Sequence, residues 1–396
     1  MNKPLGPSGE FKKLLRFAGI YGWSRAINKA IARTRPPWLR PLVFIRRKPA
    51  ISVIGCGQFA FSCVCYYLKK QIGTAFLSAF DTDGQQARSL SRYYGFREVT
   101  TTPDALLNNP DLAVLYVVSN HASHTAYAVE GLTRNKIVYV EKPVSVTRQQ
   151  LVRLCQAVRQ SSGQVFAGYN RPYSKAIQLL RKRVDSSSEA AGFSISYVIN
   201  GHQIPSEHWY RNAEEGTRIC GNLGHWIDLT IHLFFWRSIP DWIDIQIAYA
   251  NPNEPDDDLT VTFTTDRYDI VSILLTSRSE PFEGISEFIN IQYNDIIAHI
   301  DDFRRLTIWQ GAVKKVWRFW PKDVGHQRAV MQPFLENNRN WLEVELSTLL
   351  MLFIRDMVLK RQTGLRFNTH QELAGFEADL QSASLLYPPF THEKNS

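Results

Sequence analysis

From Ala50 onward the apolar residues gather in short runs separated by longer amphipathic stretches. "AISVIG", "TAFLSAF", "LAVLYVVS", "KIVYVE" and "QVFAGYN" are short and rich in β-branched or aromatic residues. Between them, "FSCVCYYLKKQ", "HTAYAVEGLTRN" and "RQQLVRLCQAVRQSSG" carry apolar positions at helical spacing. This alternation predicts a parallel, doubly wound sheet with helices packed on it. After about residue 190 the period drops to two. "GFSISYVI", "IDIQIAYA", "LTVTFTT", "YDIVSILLTS", "SEFINIQYN", "IIAHIDD" and "RLTIWQ" predict a large, mostly antiparallel sheet with one solvated face. Helical segments around 330–361 and 370–386 close the chain. The fold class is α/β, divided into a basic arm (1–48), a nucleotide-binding domain (49–170) and a substrate and oligomerisation domain (171–390).

The arm has its own pattern. Phe11, Leu14, Leu15 and Ala18, then Ile27, Ala30 and Ile31, recur at helical spacing with Lys12, Lys13, Arg16, Arg25 and Lys29 between them. Gly19 and Gly22 weaken its middle, and Pro36, Pro37 and Pro41 end it. Residues 1–48 hold 12 Lys or Arg against one acid, whereas the remainder holds 34 against 36. The net charge of +9 therefore belongs to the arm, and a nearly neutral body argues against nucleic-acid binding. Two readings of the arm stand: a basic amphipathic helix on an anionic membrane surface, or a segment packed on its own or a neighbouring subunit. No run reaches the length of a transmembrane span, and a secretory signal is not expected. Five scattered cysteines without zinc spacing suit a reducing cytoplasm, with the arm allowing a peripheral position at the inner face of the membrane.

The first strand runs directly into Gly55, Gly57 and Ala60, and a helix follows. In that context Gly55 allows the tight turn, Gly57 lets backbone approach a pyrophosphate, and Ala60 permits close helix–strand packing. Gln58 and Phe59 complete the loop. Asp81, at the end of the next strand and twenty-one residues after Ala60, is placed to accept from both ribose hydroxyls of an adenosine. Its charge repels a 2′-phosphate, which favours NAD over NADP. Asp83 is a competing acid nearby.

"TRICGNLGHWIDLTIHLF" sets His225 and Asp228 on one helix face, with His232 further along. His225 and His232 lie roughly 10 Å apart along a helix axis, too far to share one ion, so no metal is expected.

"VEKP" (140–143), after a strand of this sheet, resembles the glucose–fructose oxidoreductase/inositol dehydrogenase (Gfo/Idh/MocA) family, and the resemblance extends from about 50 to 390. "GYNRPYSKA" is similar to that family's "GYNRRFSPA", with Pro172 replacing the second arginine. "SNHASH" resembles a Thr-Arg-His-x-x-His motif: His121 and His124 match, Ser119 replaces threonine and Asn120 replaces arginine. "IPSEHWY", "TRICGNLGHWIDL" and "IDDFRRLTIW" resemble a branch associated with surface-polysaccharide biosynthesis. There Arg218, Ile219, Gly221, His225, Ile227 and Asp228 match, while Asn222 stands for glutamate and Gly224 for cysteine. Many members carry an aspartate where this chain has Gly221.

The resemblance implies an N-terminal Rossmann domain and a sugar site lined by the second sheet, whose exposed face supports a dimer or tetramer. It places Glu141 and Lys142 beside the nicotinamide and implies a cis bond from Lys142 to Pro143. Ser119, Asn120, His121, His124 and Asn170 join the cofactor contacts. Lys142 is the first acid–base candidate, since burial beside a nicotinium disfavours its charged form. His225 donates to the substrate oxygen or relays its proton; Asp228 orients that imidazole or pairs with a basic neighbour. Arg171, His208, Trp209, Arg218 and Asn222 are candidates for the substrate pocket, the arginines suiting a carboxylated sugar or a diphosphate. His232 is expected to pack. The expected activity is hydride transfer between the cofactor and a secondary alcohol or ketone of a sugar or nucleotide sugar. The competing reading is a catalytically silent NAD-binding sensor or scaffold, motivated by the acids missing at Gly221 and Asn222.

Overall fold

The computed structural model describes residues 7–39, 46–185, 191–281 and 284–386. Its first sheet contains β1 (Arg46–Ile54), β2 (Thr74–Phe80), β3 (Glu98–Val99), β4 (Val114–Val117), β5 (Ile137–Val140) and β6 (Val165–Ala167), in the order β3-β2-β1-β4-β5-β6. Every pairing is parallel. Residues of β4 and nearly all of β2 are buried, as expected where helices cover both faces. The order reverses between β1 and β4, so a crevice opens at their carboxyl ends, where ligands bind in such sheets.

The second sheet contains β7 (Ser194–Asn200), β8 (Trp242–Tyr249), β9 (Leu259–Thr265), β10 (Ile270–Thr276), β11 (Ser286–Tyr293), β12 (Ile296–Asp301), β13 (Arg305–Gln310), β14 (Val313–Arg318) and β15 (Gly364–Asn368). Its order is β14-β13-β12-β11-β7-β10-β9-β8-β15, antiparallel except where β10 meets β7. The period-two reading missed both edge strands, β14 and β15, because most of their residues are exposed and polarity does not alternate across a buried face. Ile195, Tyr197, Ile199, Val271, Ile273 and Leu275 point inward to the core, whereas Val198, Ile270, Leu274 and Phe288 lie on the exposed face.

The helix Gly224–Phe234 is buried almost all round, which explains why its apolar residues show no single stripe. Thr230 donates to the Tyr197 hydroxyl of β7 (3.1 Å) on one side. Asp228 and His232 reach residues preceding and within the helix Trp341–Leu359 on the other. The final helix, Thr369–Leu386, returns to the first domain through Arg148–Asp379 and Arg159–Glu377 ion pairs (both 2.7 Å). The second domain is therefore not confined to its own sheet.

The arm forms two helices, Pro7–Tyr21 and Trp23–Thr34, broken at Gly22 with φ +82°. It packs on its own subunit. Ala18, Ala26, Asn28 and Ala32 are buried, Ser24 meets the Tyr66 hydroxyl (2.8 Å), and Asn28 donates to the Tyr94 hydroxyl (3.0 Å).

Candidate active site

The nucleotide end is set by backbone. Gly55 has φ +88°, and a Cβ there would stand 2.5 Å from the Val118 carbonyl and the Ser119 nitrogen. Its role is thus wider than a turn: it lets the end of β1 touch the loop after β4. A Cβ on Gly57 would meet nothing within 4 Å, leaving the open space a pyrophosphate needs. Ala60 is fully buried against the sheet. Gln58 and Phe59 are exposed in the first helical turn after the loop, and the Phe59 ring lies 5.8 Å from His326.

Asp81 accepts from the Cys56 nitrogen (2.6 Å) and the Asp83 nitrogen (2.8 Å), which fixes its carboxylate beside the glycine loop. Asp83 instead caps the helix Gly84–Tyr94 through the Gln85 nitrogen. Of the two acids, Asp81 is the one that stands on the glycine loop, and Asp83 is engaged at the helix start. These residues fit a bound dinucleotide: the loop and Asp81 would hold its pyrophosphate and adenosine ribose.

At the carboxyl end of β5 the Lys142–Pro143 bond is cis. Lys142 Nζ donates to the Gly221 carbonyl at 2.8 Å, joining the two domains. Gly221 lies in a π-helical turn, Ile219–Leu223, that opens directly into the helix Gly224–Phe234. A Cβ at position 221 would fall 2.8 Å from Tyr210 Cε2 and 3.0 Å from His121 Cε1. Tyr210 and His121 therefore close the space an aspartate would need.

His225 and Asn222 line the same place, and the His225 Nδ1 and Asn222 Oδ1 atoms are buried without a hydrogen-bond partner among the described residues. Burial, reinforced by Arg171 and Lys142 and then by His326 and His121, holds the His225 imidazole well below its ordinary pKa. His121 is pushed down to about 2 by burial, then by Lys142 and His124, against a contact with the Glu215 carbonyl (3.0 Å). Both are neutral near pH 7. Trp209 and Tyr210 flank His121, with ring centroids 4.8 and 4.9 Å away, and His208 stacks on Trp209 at 5.7 Å.

Several expected site residues are held elsewhere. Asp228 takes Arg339 in a bidentate pair (2.8 and 3.1 Å) and a hydrogen bond from Ser347 (3.0 Å), so it does not orient His225. Arg171 pairs with Glu287 (2.8 and 3.0 Å) and stacks 4.6 Å over Trp226. Arg218 is buried against Asp257 (3.0 Å) and the His202 carbonyl (2.7 Å). Neither arginine is presented to a substrate, because burial requires its charge to be paired.

On the cofactor side, His124 sits between the Pro143 and Ser119 carbonyls (2.8 and 3.0 Å). Glu141 accepts from the Tyr139 hydroxyl (2.7 Å), and Asn170 donates to the Val324 carbonyl (2.5 Å). These three are buried supports of the loops they occupy. Ser119 meets Ser123 (2.7 Å), and Asn120 donates to Glu215 (2.7 Å) at the mouth of the helix His121–Thr133. His232 bonds Glu343 at 2.7 Å.

Three participants escaped the sequence. Tyr210 follows the noted His208–Trp209 pair, and its aromatic neighbours were a usable signal. Glu215 caps the helix after β4 through the Ala122 nitrogen (3.1 Å), across 93 residues of chain. His326 has its imidazole held well below the usual value by burial and by Arg25, Arg171, Lys142 and Lys322. No local motif marked either of these last two.

Residues 50–169 match the model of an oxidoreductase family with an NAD-binding Rossmann fold. An inositol 2-dehydrogenase of Burkholderia multivorans is 24% identical over 248 residues, covering 61% of this chain and 68% of that protein. The crystal structure of a myo-inositol dehydrogenase from Lactobacillus casei, in complex with NAD(H) and myo-inositol, shares the fold. Its TM-score is 0.64 at 16% identity, covering 81% of this chain and 97% of that one. A Gfo/Idh/MocA family oxidoreductase from Vibrio cholerae is similar at a TM-score of 0.63 and 15% identity, over 79% and 99% of the two chains. With its glycine loop, the acid closing β2 and the Lys142 loop on one parallel sheet, the chain's residues 50–169 form the NAD-binding Rossmann domain of the Gfo/Idh/MocA oxidoreductase family, and the fold of solved members extends over most of the rest.

Proposed function

We propose that the protein transfers a hydride between NAD and a secondary alcohol or ketone of a sugar or nucleotide sugar, within surface-polysaccharide biosynthesis. The observation that carries this reading is the meeting of Lys142 with Gly221 beside two buried, unpartnered polar atoms, His225 Nδ1 and Asn222 Oδ1. Buried polar atoms without partners mark a place that a hydroxylated ligand would complete.

The bound dinucleotide would supply the hydride acceptor or donor. Lys142 takes or returns the hydroxyl proton, exchanging its hold on the Gly221 carbonyl for the substrate oxygen. Neutral His225 offers a hydrogen bond to that oxygen, and Asn222 accepts from a neighbouring hydroxyl. His208, Trp209 and Tyr210 provide an aromatic wall for the sugar ring. Asp81 favours an unphosphorylated ribose and so NAD over NADP. The exposed apolar residues of the second sheet suit a homo-oligomer working in the cytoplasm.

Purified protein should bind NAD and turn over at least one sugar of a panel of polyols, hexoses and nucleotide sugars, followed by nicotinamide absorbance. Binding of NAD with no turnover of any of them would favour the second reading, a cofactor-binding sensor. That reading is motivated by the side-chain space closed at Gly221.

A further inference from the structure

We propose that the outer face of the N-terminal arm docks on an anionic lipid bilayer, lying on its surface. The two arm helices bury small residues and leave some large apolar ones outside. Small residues, Ala18, Ala26 and Ala32, face the body, while the larger Leu15, Trp23 and Ile27 are 41, 56 and 52% exposed. Trp320, from the second domain and 69% exposed, joins them at the break between the helices. Its indole N–H donates to the Gly19 carbonyl (2.8 Å), and Pro321 lies against Gly22.

The arm that carries this face is strongly basic, with Glu10 its single acid. Lys12 and Arg16 are exposed on the first helix and Arg33 on the second, and no Asp or Glu occurs between Phe11 and Lys48. Tryptophans at headgroup depth, aliphatic side chains below them and cations toward lipid phosphates match an interfacial helix. A protein partner would have to supply an acidic ring around an apolar centre; an anionic bilayer supplies both over any area. No helix among the described residues is long and apolar enough to cross a membrane, so contact is from one side.

The face is firmly mounted. Arg35 donates to the Cys56 carbonyl (2.8 Å) in the glycine loop and to Ser89 (2.8 Å), and its guanidinium covers the Phe61 ring at 4.9 Å. Lys322 returns its backbone N–H to the Ile20 carbonyl (2.8 Å). Docking the arm therefore holds both domains, and the crevice between them, at a fixed attitude to the lipid surface.

The test is co-sedimentation of the full-length protein with phosphatidylglycerol/phosphatidylcholine vesicles and with pure phosphatidylcholine vesicles. Binding to the anionic vesicles only is expected, with a blue shift of tryptophan fluorescence. The Trp23→Ser/Ile27→Ser variant should bind about tenfold more weakly, since affinity scales with the apolar area inserted. Its circular dichroism and NAD binding should match those of the parent, which separates lost docking from lost folding. Wild-type protein left in the supernatant with anionic vesicles, or equal binding by the variant, would overturn the proposal. So would a variant whose oligomer falls apart in lipid-free light scattering, because the face would then be a contact between copies of the chain.

Discussion

At the nucleotide end of the cleft, backbone geometry positions the site: a positive φ at Gly55, open space at Gly57 and one carboxylate held on loop nitrogens. At the proposed substrate end, positioning comes from side chains on five separate segments, Lys142, His121, Tyr210, the Gly221–His225 turn and His326. The first end can be checked locally, because a glycine at a strand–helix turn constrains its own surroundings. The second depends on how two domains meet, so one missing side chain is answered by residues distant in sequence. The aspartate expected near His225 is absent, and its space is filled by His121 from the first domain and Tyr210 from the second.

If that contrast is right, perturbing the two ends should fail in different ways. The largest effect is expected from Asp228→Asn. Arg339 is held above its ordinary pKa by Asp228 and Glu343 in spite of burial. Removing its main partner should cost about 3–5 kcal/mol in denaturant unfolding, with turnover per folded molecule little changed. Unchanged stability with abolished turnover would return Asp228 to the catalytic set.

Gly55→Ala strikes the other end. The added Cβ meets backbone, which cannot swing aside, and the required φ is unfavourable. A loss of about 2–4 kcal/mol together with loss of NAD binding is expected by calorimetry. Asp81→Asn should be milder and selective. It should raise the KM for NAD about tenfold or more, leave kcat nearly unchanged and narrow the preference over NADP, as loss of a charge-assisted hydrogen bond to ribose would. A fall in kcat alone would mean the two ends are not separable.

The smallest effect is a pH dependence from His121. Its folded pKa lies below the ordinary value of 6.5, at about 2. The unfolded chain takes up a proton below about pH 6.5 while the folded chain does not, so the stabilising contribution is complete above that pH. It is lost toward acid at up to about 1.4 kcal/mol per pH unit. The melting temperature should fall between pH 7 and 5, and His121→Gln should reduce that slope while leaving the share of His225 and His326. An identical slope in the variant would assign the effect to another group.

The parallel and antiparallel sheets and the turn at the glycine loop were legible because each depends on short-range pattern. Hydrophobic period separates the two sheets, and one strand–turn–helix passage defines the loop. Residue roles at the substrate end were harder to read. Asp228, Arg171 and Arg218 have the right chemistry for a site, but each is claimed by a partner far along the chain: Arg339, Glu287 and Asp257. Motif spacing carries no information about such pairing. His124 and Asn170 likewise match a motif while serving as buried ties between loops. Of the two readings of the arm, packing on its own subunit is what the fold shows, through Ala18, Ala26 and Ala32.

In the proposed reaction Lys142, set on the Gly221 carbonyl, moves the proton at a site where an aspartate has no room. The most direct test is the turnover of Lys142→Met with a sugar that the wild-type protein oxidises, measured alongside NAD binding. A fall in kcat of about 10²–10⁴-fold with NAD affinity unchanged is expected. A wild-type kcat in that variant would contradict it.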